Sequence, residues 1–198
     1  MVRAESSEGV LEYSLGAILK ESSAPEHSLA SGSAAALSVA LAASLACSVA
    51  KALDPQVEAT GFIVQAESLR SRAVNLVGRN RDHYEAARQE LEARIEDPGH
   101  RDHRIGEAMK ESLQTLGLIS GAGADTSELA SNVARIAPDE LKPDAVSATV
   151  LAESGSRVAT VLIKANLLVT SGGSTLDSAE AELAAAVESS KAAFALLG

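Results

Sequence analysis

No tryptophan occurs in the 198 residues, cysteine occurs once, and the aromatic side chains are two Tyr and two Phe. With so few flat rings the chain cannot build a base-stacking platform or an aromatic sugar cleft. Cys47 has no partner for an intramolecular disulfide, and its apolar neighbours predict a buried, inert thiol. Basic residues are also scarce: 17 Lys and Arg against 27 Asp and Glu leave a net charge of −10. Phosphate neutralisation needs a basic face, so neither nucleic acid nor an anionic membrane is expected as a partner. The opening Met1-Val2-Arg3-Ala4-Glu5-Ser6-Ser7 lacks the basic-then-apolar order of a secretory signal, and a reducing cytoplasm is the expected setting. There is no phosphate loop, no Gly-x-Ser-x-Gly elbow, no His-Glu-x-x-His and no paired-Cys motif. P-loop ATP chemistry, serine hydrolysis and zinc proteolysis therefore have nothing to rest on. His100 and His103, beside Asp97 and Asp102, have metal-ligand types without a fixed geometry; a solvated loop accounts for them better, and no metal is expected.

What is present is helical periodicity, in a chain 46% hydrophobic and 22% charged. Residues 1–198 form one domain, an all-α bundle of about six helices whose interior must be largely Ala, Ser and Gly. Val10, Leu11, Leu15 and Ile18 place a first helix over about residues 6–21, ended by Ser22-Ser23-Ala24-Pro25. No charge falls between Ser28 and Ala50, and a helix over 31–53 stops at Asp54-Pro55. Its Ala and Ser content is too poor in large apolar groups for a membrane span, so it is expected as the buried central helix. A third helix over 56–95 buries Phe62, Leu69, Ala73, Leu76 and Val77 and stops at Pro98-Gly99. A fourth covers 102–119, with Gly121-Ala122-Gly123 breaking or bending it before a segment over 126–137. Asp144 is placed to cap the next, 145–169, and Thr175 or Asp177 opens the last, with Ala179, Leu183, Ala186, Val187, Ala193 and Leu197 on one side. Small side chains bury little area each, so a homodimer that adds burial is expected.

Three polar places stand out. Ser31, Gly32 and Ser33 open the uncharged helix, where free backbone N–H groups receive a carboxylate or a polarised carbonyl; an ordinary N-cap explains the same pattern. Arg79, Asn80, Arg81, Asp82, His83 and Tyr84 interrupt an apolar-faced helix, with Asn80, His83 and Tyr84 within one turn of each other, as a pocket wall or as a solvated face. Lys164 and Asn166 sit in the apolar run from Val158 to Val169, where an amide either bonds another helix or faces a cavity.

Together these places resemble the cyclodeaminase/cyclohydrolase superfamily, the all-helical fold of formiminotetrahydrofolate cyclodeaminase and of a methenyltetrahydrofolate cyclohydrolase. The family's Pro-Gly-Gly-Gly-Ser-x-Ala-Ala opening is matched by Leu29-Ala30-Ser31-Gly32-Ser33-Ala34-Ala35-Ala36, and its C-terminal pattern by Asp144, Ala148, Glu153, Gly155, Ala159 and Asn166-Leu167. The resemblance covers nearly the whole chain. Departures fall where the chemistry should be: the family's acidic pair aligns with Gly78 and Asn80, and its proline and two glycines with Leu29, Ala30 and Ser31. Asn cannot take up a proton as a carboxylate does, which leaves Asp82 as the substitute.

What the resemblance implies is a small-molecule enzyme that closes formiminotetrahydrofolate with loss of ammonia, or hydrolyses methenyltetrahydrofolate. It would hold no cofactor, a tetrahydrofolate derivative being the substrate. Asp82, His83, Tyr84 and Asn80 are the catalytic candidates; Ser31, Gly32, Ser33, Arg79, Lys164 and Asn166 are the substrate-binding ones. An anionic folate would need the local positive charge of Arg79, Arg81, Arg157 and Lys164. Two alternatives stay open: an enzyme of the same fold catalysing a cyclisation, dehydration or deamination on a non-folate substrate in specialised metabolism, and a non-catalytic helical dimer binding a ligand or protein.

Overall fold

A computed structural model of the chain describes residues 13–24, 29, 31–53, 57–94, 97–167 and 173–198. The elements run α1 (Leu15–Ser22), α2 (Ser31–Ala52), α3 (Val57–Glu92), α4 (Pro98–Ile136), α5 (Lys142–Asn166) and α6 (Gly173–Phe194), with a 3-10 turn at Ala195–Leu197. Among the described residues no strand occurs. Ser14 opens α1, its hydroxyl accepting from the Ala17 N–H at 3.2 Å; the expected extension back to residue 6 lies outside the described residues.

The helix joints correct three expectations. Pro98-Gly99 does not stop α3, which ends at Glu92. Pro98 instead starts α4, four residues before the expected Asp102, with Asp97 as N-cap accepting from the Gly99 N–H at 3.0 Å. Proline suits this place because its missing N–H has no partner in a first turn anyway. Asp144 is not the cap of α5: Leu141 holds that position, and Asp144 lies in the first turn, where its carboxylate meets the positive end of the helix dipole.

Gly121-Ala122-Gly123 neither breaks nor bends the chain into two helices, for α4 is continuous through them. Their role is packing. A Cβ on Gly123 would fall 2.8 Å from the Ala152 carbonyl oxygen of α5, and one on Gly155 would fall 2.9 Å from the Ala35 carbonyl of α2. Hydrogen side chains at these two crossings let backbones touch, and the contact repays the helix propensity lost.

Neighbouring helices in sequence pack antiparallel, α2 on α3, α3 on α4, α4 on α5 and α5 on α6. The helix surrounded most completely is α4, against α2, α3, α5 and α6, and not α2, which meets α3, α4 and α5. The uncharged α2 buries Val39, Ala42, Ala43, Ala46 and Cys47, as its composition predicts, yet keeps one exposed stripe. It and α5 are long and apolar enough to cross a membrane, but 61% and 50% of their apolar windows are buried among the other helices.

Val39, Leu76, Val77, Leu116, Ile119 and Ile163 form the larger-side-chain core at one end. A second such core, Val49, Val133 and Val146 with Phe62 and Ile63 against them, lies at the other end. The rest of the interior is largely Ala with hydroxyls, and most of these hydroxyls find partners: Ser120 with Ser156 at 3.0 Å, Ser127 on the Ala186 carbonyl at 3.1 Å, Thr160 on the Ser156 carbonyl at 2.9 Å. A buried hydroxyl so bonded avoids most of its desolvation cost. In α6, Ala179, Ala186 and Ala193 are buried, Leu183 and Val187 half-buried, and Leu197 exposed in the terminal turn.

Because Gly123 meets fixed backbone, Gly123→Ala should destabilise the bundle by about 1–3 kcal/mol through overpacking. Gly61→Ala, with nothing within 4 Å of the added carbon in the middle of α3, should stabilise it by roughly 0.5–1 kcal/mol. Urea denaturation of both variants checks the pair; equal effects would mean that the α4–α5 crossing is not tight.

Candidate functional site

Four helices enclose a cavity of about 160 Å³ at one end of the bundle. Its walls are Ser31 and Gly32 from the first turn of α2, Asn80 and Tyr84 from α3, Ser112 and Leu116 from α4, and Leu162 and Asn166 from the end of α5. Each of the last three pairs is spaced by four residues, so each helix presents one face. The first turn of α2 brings backbone N–H groups that have no partner within the helix. All three polar places of the sequence thus contribute to one site.

Asn80 organises it. The side chain is 4% exposed, and its Nδ2 donates to Ser33 Oγ at 3.2 Å. Ser33, fully buried, donates in turn to the Val77 carbonyl at 3.1 Å. Ser33 therefore positions Asn80 from below and does not line the cavity. A Cβ on Gly32 would fall 2.3 Å from Asn80 Oδ1, so any larger residue there would have to push the Asn80 amide aside. Tyr84 is the cavity's one titratable side chain among the described residues, a hydroxyl able to give and accept a proton.

The remaining candidates face elsewhere. At 100° per residue, positions 79, 82 and 83 leave the face shared by 80 and 84. Asp82 is exposed and paired with Arg81 at 3.0 Å, so it does not replace the missing acid in the cavity. His83 is turned to α4, with Nδ1 2.8 Å from Thr115 Oγ1 and 3.1 Å from the Glu111 carbonyl. Lys164 is exposed and pairs with Glu180 at 2.6 Å, and Arg157 pairs with Glu153. Arg79 opens onto a separate cleft of about 490 Å³ between α3, α4 and α6, lined also by Arg72, Gln114, Thr175 and Glu182.

Ser112, Leu116 and Leu162 were not marked in the sequence. Leu162 lies four residues before Asn166 and could have been inferred once Asn166 was placed; nothing local marks Ser112 or Leu116. His100 and His103 lie exposed in the first turns of α4, not in a loop. Among the described residues no three His, Cys, Asp or Glu side chains gather into a metal-binding group. His27 lies outside the described residues.

In the second cleft, burial pushes the Glu182 carboxyl above its ordinary range; Asp125 adds to this, while a Ser120 hydrogen bond and Arg72 oppose it. Its Oε2 is buried without a hydrogen-bond partner. Arg72 is held by Asp125 at 2.8 Å.

Comparison with known proteins places this geometry. A family model described as formiminotransferase-cyclodeaminase matches residues 14–185. The crystal structure of formiminotetrahydrofolate cyclodeaminase from Thermotoga maritima superposes with a TM-score of 0.84 at 17% identity, over 95% of this chain and 97% of that one. At that identity the likeness is one of fold. No curated protein matches the sequence.

Gly32→Ala should push the Asn80 amide off Ser33, which NMR would register as a shift of the Asn80 side-chain amide resonances; unchanged resonances would contradict the contact. Glu182 gives a pH test. A raised carboxyl favours the fold below the ordinary Glu range and loses that contribution as pH rises through its folded value. Glu182→Gln should therefore melt higher than the parent at neutral pH, with the gain fading toward pH values below the ordinary Glu range. A pH-independent difference would rule out the buried carboxyl as its source.

Proposed function

The chain belongs to the formiminotransferase-cyclodeaminase family, and on that premise we propose that its cavity acts on a one-carbon unit carried by tetrahydrofolate, closing a formimino group with loss of ammonia or hydrolysing a methenyl bridge. The observation that carries this reading is the convergence of Gly32, Asn80, Tyr84 and Asn166 on one small space. Both substrates bring a planar N–CH–N unit that is cationic in its reactive form. Asn80 Oδ1 and the hydroxyls of Ser31 and Ser112 supply neutral acceptors for such a unit, as preorganised dipoles.

Closure forms a bond from the neighbouring side-chain nitrogen to the one-carbon atom, that nitrogen giving up its proton, and breaks the atom's bond to the departing nitrogen, which gains a proton and leaves as ammonia. In this reading Tyr84, on the cavity wall, moves the protons. Hydrolysis needs a water held at the same carbon, and the cavity, with room for about five waters at ~30 Å³ each, takes water and reacting group together. It does not take a whole folate, since ligand pockets usually span about 300–1,000 Å³. The anionic tail of the substrate lies outside, over the mouth.

A second reading has its own support. The small volume, and an amide where the family has an acid, suit the same fold working on a smaller non-folate substrate.

Tyr84→Phe should lower turnover of methenyl- or formiminotetrahydrofolate by about 10²-fold with little change in KM. Asn80→Asp, which puts a carboxylate at the aligned acidic position, should raise it. The absorbance of the methenyl group follows both reactions. An unaffected Tyr84→Phe removes Tyr84 from the proton path, and absence of both folate binding and turnover in the parent leaves the non-folate reading.

A further inference from the structure

The Asn80 amide can lie in either of two ways, since it offers an oxygen on one side and an amino group on the other. Ser33 decides between them. A serine hydroxyl has one hydrogen to give, and that hydrogen goes to the Val77 carbonyl at 3.1 Å. With it committed, Ser33 Oγ can only accept, and it accepts from Asn80 Nδ2 at 3.2 Å. Turning the amide over would set Asn80 Oδ1 against Ser33 Oγ. Ser33 would then have to leave Val77 to bond it, and two hydrogen bonds would become one. Both side chains are buried, so water does not make up the loss.

This settles what Asn80 shows to the cavity. Its Oδ1 lies beside Gly32, and Gly32 and Asn80 both line the cavity. The oxygen takes no hydrogen bond among the described residues, where the Asn80 side chain bonds through Nδ2. Nor is it enclosed: the buried side-chain oxygens without a partner among the described residues are Glu90 Oε2, Thr126 Oγ1, Ser131 Oγ and Glu182 Oε2. An acceptor held in a fixed direction, open and unpaired at a cavity wall, is a place for a donor.

We propose that Ser33, which does not itself line the cavity, selects the ligand: by fixing the direction of the Asn80 amide it makes the site receive an N–H group there and turn away a carbonyl or carboxylate oxygen. This rests on the cavity being the binding site, as in the proposed function, and not on the substrate being a folate. A carboxylate at position 80 would have accepting oxygens alone and would draw the Ser33 hydrogen away from Val77. The amide leaves that bond in place and offers one directed oxygen, without charge. A ligand oxygen set against it would meet acceptor with acceptor, and a site built around a hydrogen bond rejects the analogue that cannot make it.

Acetamide and acetone separate the two cases, being neutral and nearly equal in size, with N–H groups on the first alone. Titrated into the full chain and followed by NMR through the Asn80 side-chain amide, acetamide should bind about tenfold more tightly than acetone, the effect of one hydrogen bond. Ser33→Ala removes the acceptor that holds the amide and should bring the two ligands to nearly equal affinity, with the helical circular dichroism retained. Equal binding of both by the parent overturns the proposal, as does binding of neither, and those readings need no variant to fold. A preference that survives Ser33→Ala overturns it too, since another group then sets the amide. Neither ligand is a folate, so a failure here leaves the folate reading to its own assay, and a chain that turns over no folate can still show the preference.

Discussion

Backbone contact between helices, at Gly123 against Ala152 and at Gly155 against Ala35, is the constraint on which the rest of this structure depends. Helices this close have no space for large side chains between them, and the chain supplies Ala, Ser and Gly there. The cohesive energy then comes from many short contacts instead of a few large buried groups. Hydroxyls enter the interior because they are small, and they stay because a neighbouring carbonyl accepts from them, as Ser127 does with Ala186. Larger side chains gather toward the two ends of the bundle, around Val49, Val133 and Val146 at one and around Val39, Val77, Ile119 and Ile163 at the other.

The end with Val39 and Ile163 also holds the cavity. Asn80 is set by contacts on two sides, the Ser33 hydroxyl below and the Gly32 backbone beside it. The polar site is thus made by the same close approach that makes the core: without a glycine at 32 the amide could not lie against α2, and without a small residue at 33 it could not be held. Ser33 contributes by positioning a group that faces the cavity while staying out of the cavity itself. Of the charged groups of the same helix, the exposed Asp82 is paired with Arg81. The interior of the site is left to neutral donors and acceptors and to Tyr84.

Misplaced glycines show where local rules stop. Gly121-Ala122-Gly123 has the composition of a break, and so has Pro98-Gly99. In the first case the helix continues, since tertiary contact outweighs the weak propensity of Gly; in the second the proline begins a helix instead of ending one. Both outcomes depend on what lies opposite in space. The segment from Arg79 to Tyr84 repeats the lesson in under two turns: six polar residues are adjacent in sequence, but only Asn80 and Tyr84 share the cavity face.

The sequence by itself determined that the protein is helical, that its interior is built of small residues, that α2 begins with a polar turn, and that the chain is similar to one family along its length. Periodicity and composition suffice for the first three, because each is a property of a segment, while the similarity rests on the resemblance of motifs. The tertiary structure alone decided which of the candidate polar residues face one another. A helix turns 100° with each residue, so whether a side chain reaches a cavity or the solvent depends on the rotation of its helix. That rotation is set by the Gly and Ala contacts with helices distant in sequence.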